Sequence, residues 1–342
     1  MSLIFIRLDK IGDLIASMSV DQHSALQNEE ITWVISKGLA WIPQSGLPSR
    51  KHLEIPSSKN NWQNAYKNLL NFLRDKKPRG VVVLYAPWWV SLACWRAKVP
   101  LRVGRLSQWH SFLFFNRRLR QTRSLSEKHE NDYNLELIEY GLSLVHEKIP
   151  YFKMKIDGNP GLLSRQGVLA NEYVVVHPGM FGSALNWPQA KYNELIARLS
   201  EKNMVLVTGT KNDERFLTEI KPRWQGSSRV KILQDQLSFD ELLSLLSTAK
   251  YVVAPSTGVL HLAAALGKKC VGIYSPILAH HPRRWGPLGS KAGFLLPNVN
   301  CPAKNKCLEY KCPHYPCMNS ISVESVLSML ESSQHSQVVQ HE

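Results

Sequence analysis

A doubly wound α/β fold is the class this sequence predicts, on three observations. Short apolar runs alternate with amphipathic segments along its whole length, the pattern of parallel strands covered by helices on both faces. The stretch PYFKMKIDGNPG at 150–161 breaks that rhythm with Pro and Gly, and a second series of the same kind follows. The 342 residues suffice for two domains with separate cores. We therefore read doubly wound domains at 1–155 and 156–332, with a polar, aperiodic tail at 333–342 expected to be flexible.

Taken in order, the apolar runs of the first half put strands near 2–8, 31–35, 80–85 and 101–104. Amphipathic spacing puts helices near 12–27, 61–75 and 132–145. The opening LIFI is directly followed by charges, too short an apolar run for an export signal. The most apolar stretch, VVVLYAPWWVSLACW at 81–95, is interrupted by Pro87 and Ser91 and falls short of the ~18 apolar residues of a membrane span. It reads as a buried strand running into a helix. In the second half, strands are expected near 173–177, 204–208, 230–233, 250–254 and 270–274, and helices near 189–201, 211–219, 238–247 and 258–266.

A net charge of +15 calls for an anionic partner: nucleic acid, a phosphorylated small molecule or a membrane surface. The basic runs at 74–79, 117–123 and 282–284 lack the interleaved stacking aromatics of a nucleic-acid motif, so nucleic acid is not expected. Arg117, Arg118, Arg120 and Arg123, with Phe112, Phe114 and Phe115 nearby, are either a peripheral membrane contact or a solvated basic face. Cys94 and Cys270 sit in apolar runs and read as core residues. Cys301, Cys307, Cys312 and Cys317 are too widely spaced for the close pairs of a zinc knuckle, so no metal site is expected.

Three βα loops of the second half can carry chemistry. In YVVAPSTGVLHLAAALG (251–267) a strand ends at Ala254, Pro255 and Ser256 turn, and Thr257 and Gly258 open a helix. Its first amides have no internal partner, its dipole favours an anion, and His261 follows one turn in. Ser256 or Thr257 acting only as a helix cap explains the same residues equally well. In HPGMFGSALNWPQAKY (177–192), Ser183 and Asn186 suit phosphate or ribose oxygens, unless the loop serves backbone shape alone. In TGTKNDERF (208–216), Thr208 and Gly209 leave room for a flat nucleoside. Without GxGxxG after the first strand, a dinucleotide enzyme is disfavoured.

IRLDKIGDL near the start, HPG followed by SALNWP, STGVLHLAAALG, RRWGPLG (283–289) and CMNSISVESVL (317–327) occur together in a fixed order. In that order and spacing the chain resembles glycosyltransferase family 9, the ADP-heptose:lipopolysaccharide heptosyltransferases, over nearly its whole length. The resemblance implies a GT-B fold, two Rossmann-like domains facing across a cleft, the first for the acceptor and the second for the nucleotide-sugar donor. It implies inverting transfer of heptose from ADP-heptose to an anionic glycolipid, the lipopolysaccharide inner core, with no metal or other cofactor. The setting it implies is cytoplasmic, at the inner face of the inner membrane.

Carried over residue by residue, the resemblance makes Asp13 the general base and places Thr257, Gly258 and His261 at the donor diphosphate. Spacing alone leaves Asp9 and Asp13 open as the base. Arg7, Lys10 and Arg120 are candidate acceptor contacts. Two departures bear on the donor: Ser256 stands where many members have Asp, and Leu185–Asn186 stand before Trp187–Pro188 where many have a cation. Lys191, Arg283 or Arg284 are candidate replacements for that charge. The alternatives are another nucleotide sugar or glycan acceptor, a non-catalytic nucleotide-sugar-binding protein, and a metal-dependent module built on the C-terminal cysteines.

Overall fold

The structure, a computed structural model, describes residues 2–56, 62–180 and 185–332. It divides into two compact units. One is built from residues up to Arg123 and from Glu127–Met154, the other from Ser124–Ser126 and from Lys155 onward.

In chain order, the first unit holds β1 (Ser2–Arg7), α1 (Ile11–Ile15), β2 (Glu30–Ser36), α2 (Trp41–Ser45), β3 (Lys51–Ile55), α3 (Trp62–Lys76), β4 (Gly80–Tyr85), α4 (Trp88–Arg96), β5 (Leu101–Arg105), α5 (Trp109–Phe114), β6 (Arg117–Leu119) and α6 (Glu130–Leu142). Its six strands are all parallel, in the order β3-β2-β1-β4-β5-β6. The central strands are apolar on both faces because helices cover both, and Ile4, Ile6, Val34, Val81 and Val83 pack with Leu69, Leu73, Val90 and Cys94 in one core.

The second unit holds α7 (Pro160–Gln166), β7 (Tyr173–Val176), α8 (Gln189–Ser200), β8 (Met204–Gly209), α9 (Ile220–Trp224), β9 (Val230–Gln234), α10 (Phe239–Thr248), β10 (Tyr251–Pro255), α11 (Gly258–Ala265), β11 (Lys269–Ile273), α12 (Pro282–Trp285), β12 (Ala292–Leu295) and α13 (Val323–Glu331). Its parallel sheet runs β12-β11-β10-β7-β8-β9, the same winding as the first. Trp187 anchors this core: it is 2% exposed, meets Tyr192 edge-on, and its indole N–H donates to Ile321 O at 3.1 Å.

The doubly wound class therefore holds in both units, and the differences are local. Helix 12–27 is instead the five-residue α1 followed by 3₁₀ turns at Met18–Gln22 and Ser24–Leu26. Ser17 Oγ bonds back to Asp13 O and accepts from Asn134, while Ser19 Oγ donates to Asn131; these hydroxyl bonds compete with helix continuation. Helix 211–219 is a 3₁₀ turn, Lys211–Phe216, ahead of α9. Edge strands β3 and β6 were not expected from sequence; KHLEI and RRL carry the charges that edge positions tolerate.

Candidate functional site

Each sheet has one point at which the winding reverses, β1 beside β4 in the first unit and β7 beside β10 in the second. Loops leaving the carboxyl ends of such strand pairs are where doubly wound sheets bind ligands. Both of the strongest sequence motifs lie at these points.

In the first unit, β1 ends in Arg7, where the register with β4 shifts, and Leu8 N–H donates to Tyr85 O at 2.9 Å. Arg7 is 2% exposed, yet it carries the charge balance of the loop. Its Nη2 donates to Asp13 Oδ1 at 3.1 Å and to Asp9 Oδ2 at 3.3 Å, and its Nη1 donates to Glu130 Oε1 at 3.0 Å. The guanidinium lies over the Tyr85 ring, 5.5 Å from its centroid. Glu130, buried at the start of α6, is also met by Arg123 Nη1 at 2.5 Å, which in turn donates to Asn134. Burial works against the charge on Arg7, but Glu130, Asp13 and Asp9 outweigh it and its pKa is raised.

Asp13 differs from Asp9. Both Asp9 oxygens serve the loop, Oδ1 accepting from Lys10 N–H at 3.0 Å and Oδ2 from Arg7. Asp13 has one oxygen on Arg7, accepts nothing on Oδ2 from the described residues, and keeps 20% of its side chain exposed. Burial pushes its pKa up to about 6; Arg7 and Lys10 pull it down while Asp9 and Glu130 push it further up. Asp13 lies in the first turn of α1, where a helix dipole favours a carboxylate, but α1 is only five residues long and desolvation outweighs it. The result is a carboxylate that is ionised above neutrality and still basic enough to accept a proton.

The candidate acceptor contacts separate. Lys10 and Arg120 are exposed, whereas Arg7 is enclosed by three carboxylates and supports Asp13 rather than offering itself to a ligand. Glu130, Asn134 and Tyr85 were missed from sequence. Glu130 carried only a faint signal, an acid in the first turn of a helix whose next residues also face inward.

In the second unit, His177 continues β7 and its N–H donates to Val253 O of β10 at 2.9 Å, so the loops after these strands are neighbours. His177 Nδ1 pairs with Thr208 Oγ1 at 3.0 Å, and burial lowers the His177 pKa against the pull of Asp213. Thr208, 2% exposed, is therefore a support beneath the rim. Asn186 is engaged within its own segment: its Nδ2 donates to Pro178 O at 2.6 Å and its Oδ1 accepts from Trp187 N–H at 2.9 Å. Ser183 lies outside the described residues. Gly209 accepts from Asp235 N–H, and the loop after it is set by a capping box in which Asp213 accepts from Thr210 N–H and Oγ1, both at 2.8 Å. A Cβ on Gly179 would stand 2.2 Å from Asp213 Cγ, so only glycine lets the two loops close on each other.

At the N-terminus of α11 the sequence leaves a helix cap and an anion site equally open, and the Thr257 side chain makes no cap bond. Thr257 holds the N-cap position, and its Oγ1 is buried without a partner. Ser256 bonds the hydroxyl of buried Tyr274, which itself donates to Trp285 O at 2.6 Å. His261 is 7% exposed, one turn into the helix. Free first-turn amides, an uncommitted hydroxyl and Gly258 suit a diphosphate oxygen. Lys191 pairs with Glu194 at 3.4 Å, and Arg284 stacks on Trp285 at 4.6 Å.

The cysteines divide as read from sequence. Cys94 and Cys270 are buried, with thiols pushed up to about 12 by desolvation. Burial, with the neighbouring thiols of the cluster, also raises Cys301 and Cys317, and Cys307 Sγ accepts from Glu309 N–H at 3.2 Å. Among the described residues no group of three or more His, Cys, Asp or Glu is disposed to hold a metal ion.

Comparison with known proteins agrees with this geometry. The model of glycosyltransferase family 9 (heptosyltransferase) matches residues 81–316. A Haemophilus influenzae protein named "Putative glycosyltransferase" is 27% identical over 301 residues, 84% of this chain and 86% of that one. Lipopolysaccharide heptosyltransferase 1 of Escherichia coli K12 is 23% identical over 297 residues, 81% of this chain and 88% of that one. The solved structure of E. coli ADP-heptose lps heptosyltransferase II superposes with a TM-score of 0.74 at 18% identity, covering 96% of this chain and 97% of that one. That likeness carries the GT-B fold, and with the family match over most of its length the chain belongs to glycosyltransferase family 9 and is a glycosyltransferase.

Proposed function

We propose that this enzyme transfers heptose from ADP-heptose to the inner core of lipopolysaccharide, with inversion and without a metal ion, at the cytoplasmic face of the inner membrane. The observation that carries the reading is Asp13, a partly exposed carboxylate at the reversal point of the first sheet, oriented by Arg7 and with its pKa raised to about 6. The names of relatives supply the substrates: one is a lipopolysaccharide heptosyltransferase, another an ADP-heptose lps heptosyltransferase.

In this scheme Asp13 Oδ2 takes the proton of the acceptor hydroxyl as its oxygen attacks the anomeric carbon. The bond to the diphosphate oxygen breaks on the opposite face, which inverts the centre. General-base help of this kind is worth roughly 100- to 10,000-fold. Charge gathers on the departing ADP, where the amides of Gly258 and Val259 and the Thr257 hydroxyl are proposed to meet it. Donors set before reaction favour the transition state over the ground state, the role a divalent ion fills elsewhere.

The test is transfer by the purified protein from ADP-heptose to a heptose-deficient core glycolipid, followed by mass spectrometry. Asp13→Ala should cut turnover within the range above while Asp9→Ala retains most of it. Near wild-type turnover in Asp13→Ala, with activity abolished in Asp9→Ala, would reverse the assignment. A second reading, transfer of a different sugar, rests on Ser256 and on Leu185–Asn186; melting-temperature shifts with ADP-, UDP- and GDP-sugars separate the two.

A further inference from the structure

We propose that the outer face of α5, together with Trp88 and Trp95 of α4, docks this enzyme on an anionic lipid bilayer. Trp109, Phe112 and Leu113 stand at i, i+3 and i+4 on one helix face, and they are 64%, 65% and 64% exposed. Two groups of rings flank that face. Trp62 meets Trp88 at 5.4 Å, Trp88 meets Trp109 at 6.3 Å, and Trp95 meets Phe114 at 5.8 Å. Trp88 and Trp95 are themselves 39% and 46% exposed.

This exposure belongs to a fixed helix. The inner face of α5 is anchored: His110 and Ser111 are buried, and Ser91 Oγ pairs with His110 Nδ1 at 2.9 Å. Phe115, buried just beyond, lies so close to Gly104 that a Cβ there would meet its ring at 2.2 Å. Phe115 and the buried, ion-paired Arg123 therefore leave the membrane surface expected from sequence, and Trp109 and Leu113 join it.

Charge identifies the occupant. Residues 76–126 contain eleven Lys and Arg and no Asp or Glu. Arg118 stacks on Phe112 at 4.9 Å and donates to Phe112 O, while Arg96, Lys98 and Arg117 are exposed. Indole, phenyl and leucine side chains enter the boundary between headgroups and acyl chains, and flanking cations select anionic headgroups. Pairing two copies through this face would oppose two strongly basic surfaces, which disfavours a dimer.

The inference deepens the proposed function by giving its glycolipid acceptor a docking face, and it rests on that reading only for its purpose. Its test needs neither substrate: flotation of the full chain with phosphatidylcholine vesicles, with and without phosphatidylglycerol. Binding should require phosphatidylglycerol and weaken at high salt. It should fall roughly tenfold or more in the variant carrying Trp109→Ser, Phe112→Ser and Leu113→Ser. That variant should keep its melting temperature and its transfer to a deacylated, water-soluble acceptor. The proposal is overturned if the wild type does not float with phosphatidylglycerol, if the variant floats equally well, or if sedimentation shows a dimer that the variant breaks. Vesicle binding with no transfer by either protein would sink the proposed function and leave the docking face standing.

Discussion

Arg7 Nη1 donates to Glu130 Oε1 at 3.0 Å while Nη2 donates to Asp13 Oδ1 at 3.1 Å, so one buried guanidinium couples the candidate base to a carboxylate 123 residues from Arg7. The coupling has a sign. Glu130 raises the Asp13 pKa by its charge, and Arg7 lowers it. Glu130→Gln should therefore move the acid limb of kcat/KM below its wild-type position near pH 6, and Arg7→Gln should move it above. Arg7→Gln leaves three carboxylates facing one another and should also cost roughly 3–5 kcal/mol of stability. Limbs moving the same way in both variants would show that Asp13 is not the group titrating.

Asp13 carries a stability cost with its own pH signature. Its folded pKa is raised from 3.8 to about 6, so the folded state binds its proton more tightly than the unfolded chain does. The resulting stabilisation is fully present below the unfolded value and is lost as pH rises through about 6. Asp13→Asn should thus be more stable than wild type near pH 8, by about 1–3 kcal/mol, with the gap narrowing as pH falls through about 6 and nearly closed by about pH 4. Thermal melts at the two pH values check this; a variant less stable than wild type near pH 8 contradicts it.

What the sequence made legible follows from how local each determinant is. Runs such as YVVV and MVLVTG announce buried parallel strands because both their faces are apolar. Thr257–Gly258 could be singled out because they sit on a strand–turn–helix pattern readable within about ten residues, whereas the choice of Asp13 over Asp9 needed the family resemblance. Glu130 could not be singled out, since its importance comes from a partner in β1. The break after α1 was hidden for the same reason: Asn131 and Asn134 of α6 supply the hydrogen bonds that Ser19 and Ser17 use. Asn186 shows what spacing could not: its amide also bonds its own loop, donating to Pro178 O and accepting from Trp187 N–H.

Gly179 tests whether the second site depends on loop closure. A methyl group there meets Asp213, and Asp213 holds the Thr210 cap at the end of β8. Asp213 is buried, so it has little room to yield. Gly179→Ala should cost about 1–3 kcal/mol by overpacking and weaken ADP binding, read by calorimetry. Gly209→Ala, whose Cβ would come no nearer than 3.1 Å to Leu217 and 3.5 Å to Asp213, should be milder on both counts.

Thr257 separates a helix cap from an anion ligand. A cap hydroxyl contributes about 1 kcal/mol to folding, and its loss is felt with or without donor. The Thr257 hydroxyl makes no cap bond and has no partner, so replacing it with a methyl group of the same shape removes a buried, unsatisfied oxygen. Thr257→Val should leave the melting temperature unchanged or slightly raised. If the hydroxyl meets a charged diphosphate oxygen, the same change should weaken ADP binding by about 1.5–3 kcal/mol, on the order of ten- to a hundredfold. Lost stability with unchanged ADP affinity would return Thr257 to the role of a cap and remove it from the donor site.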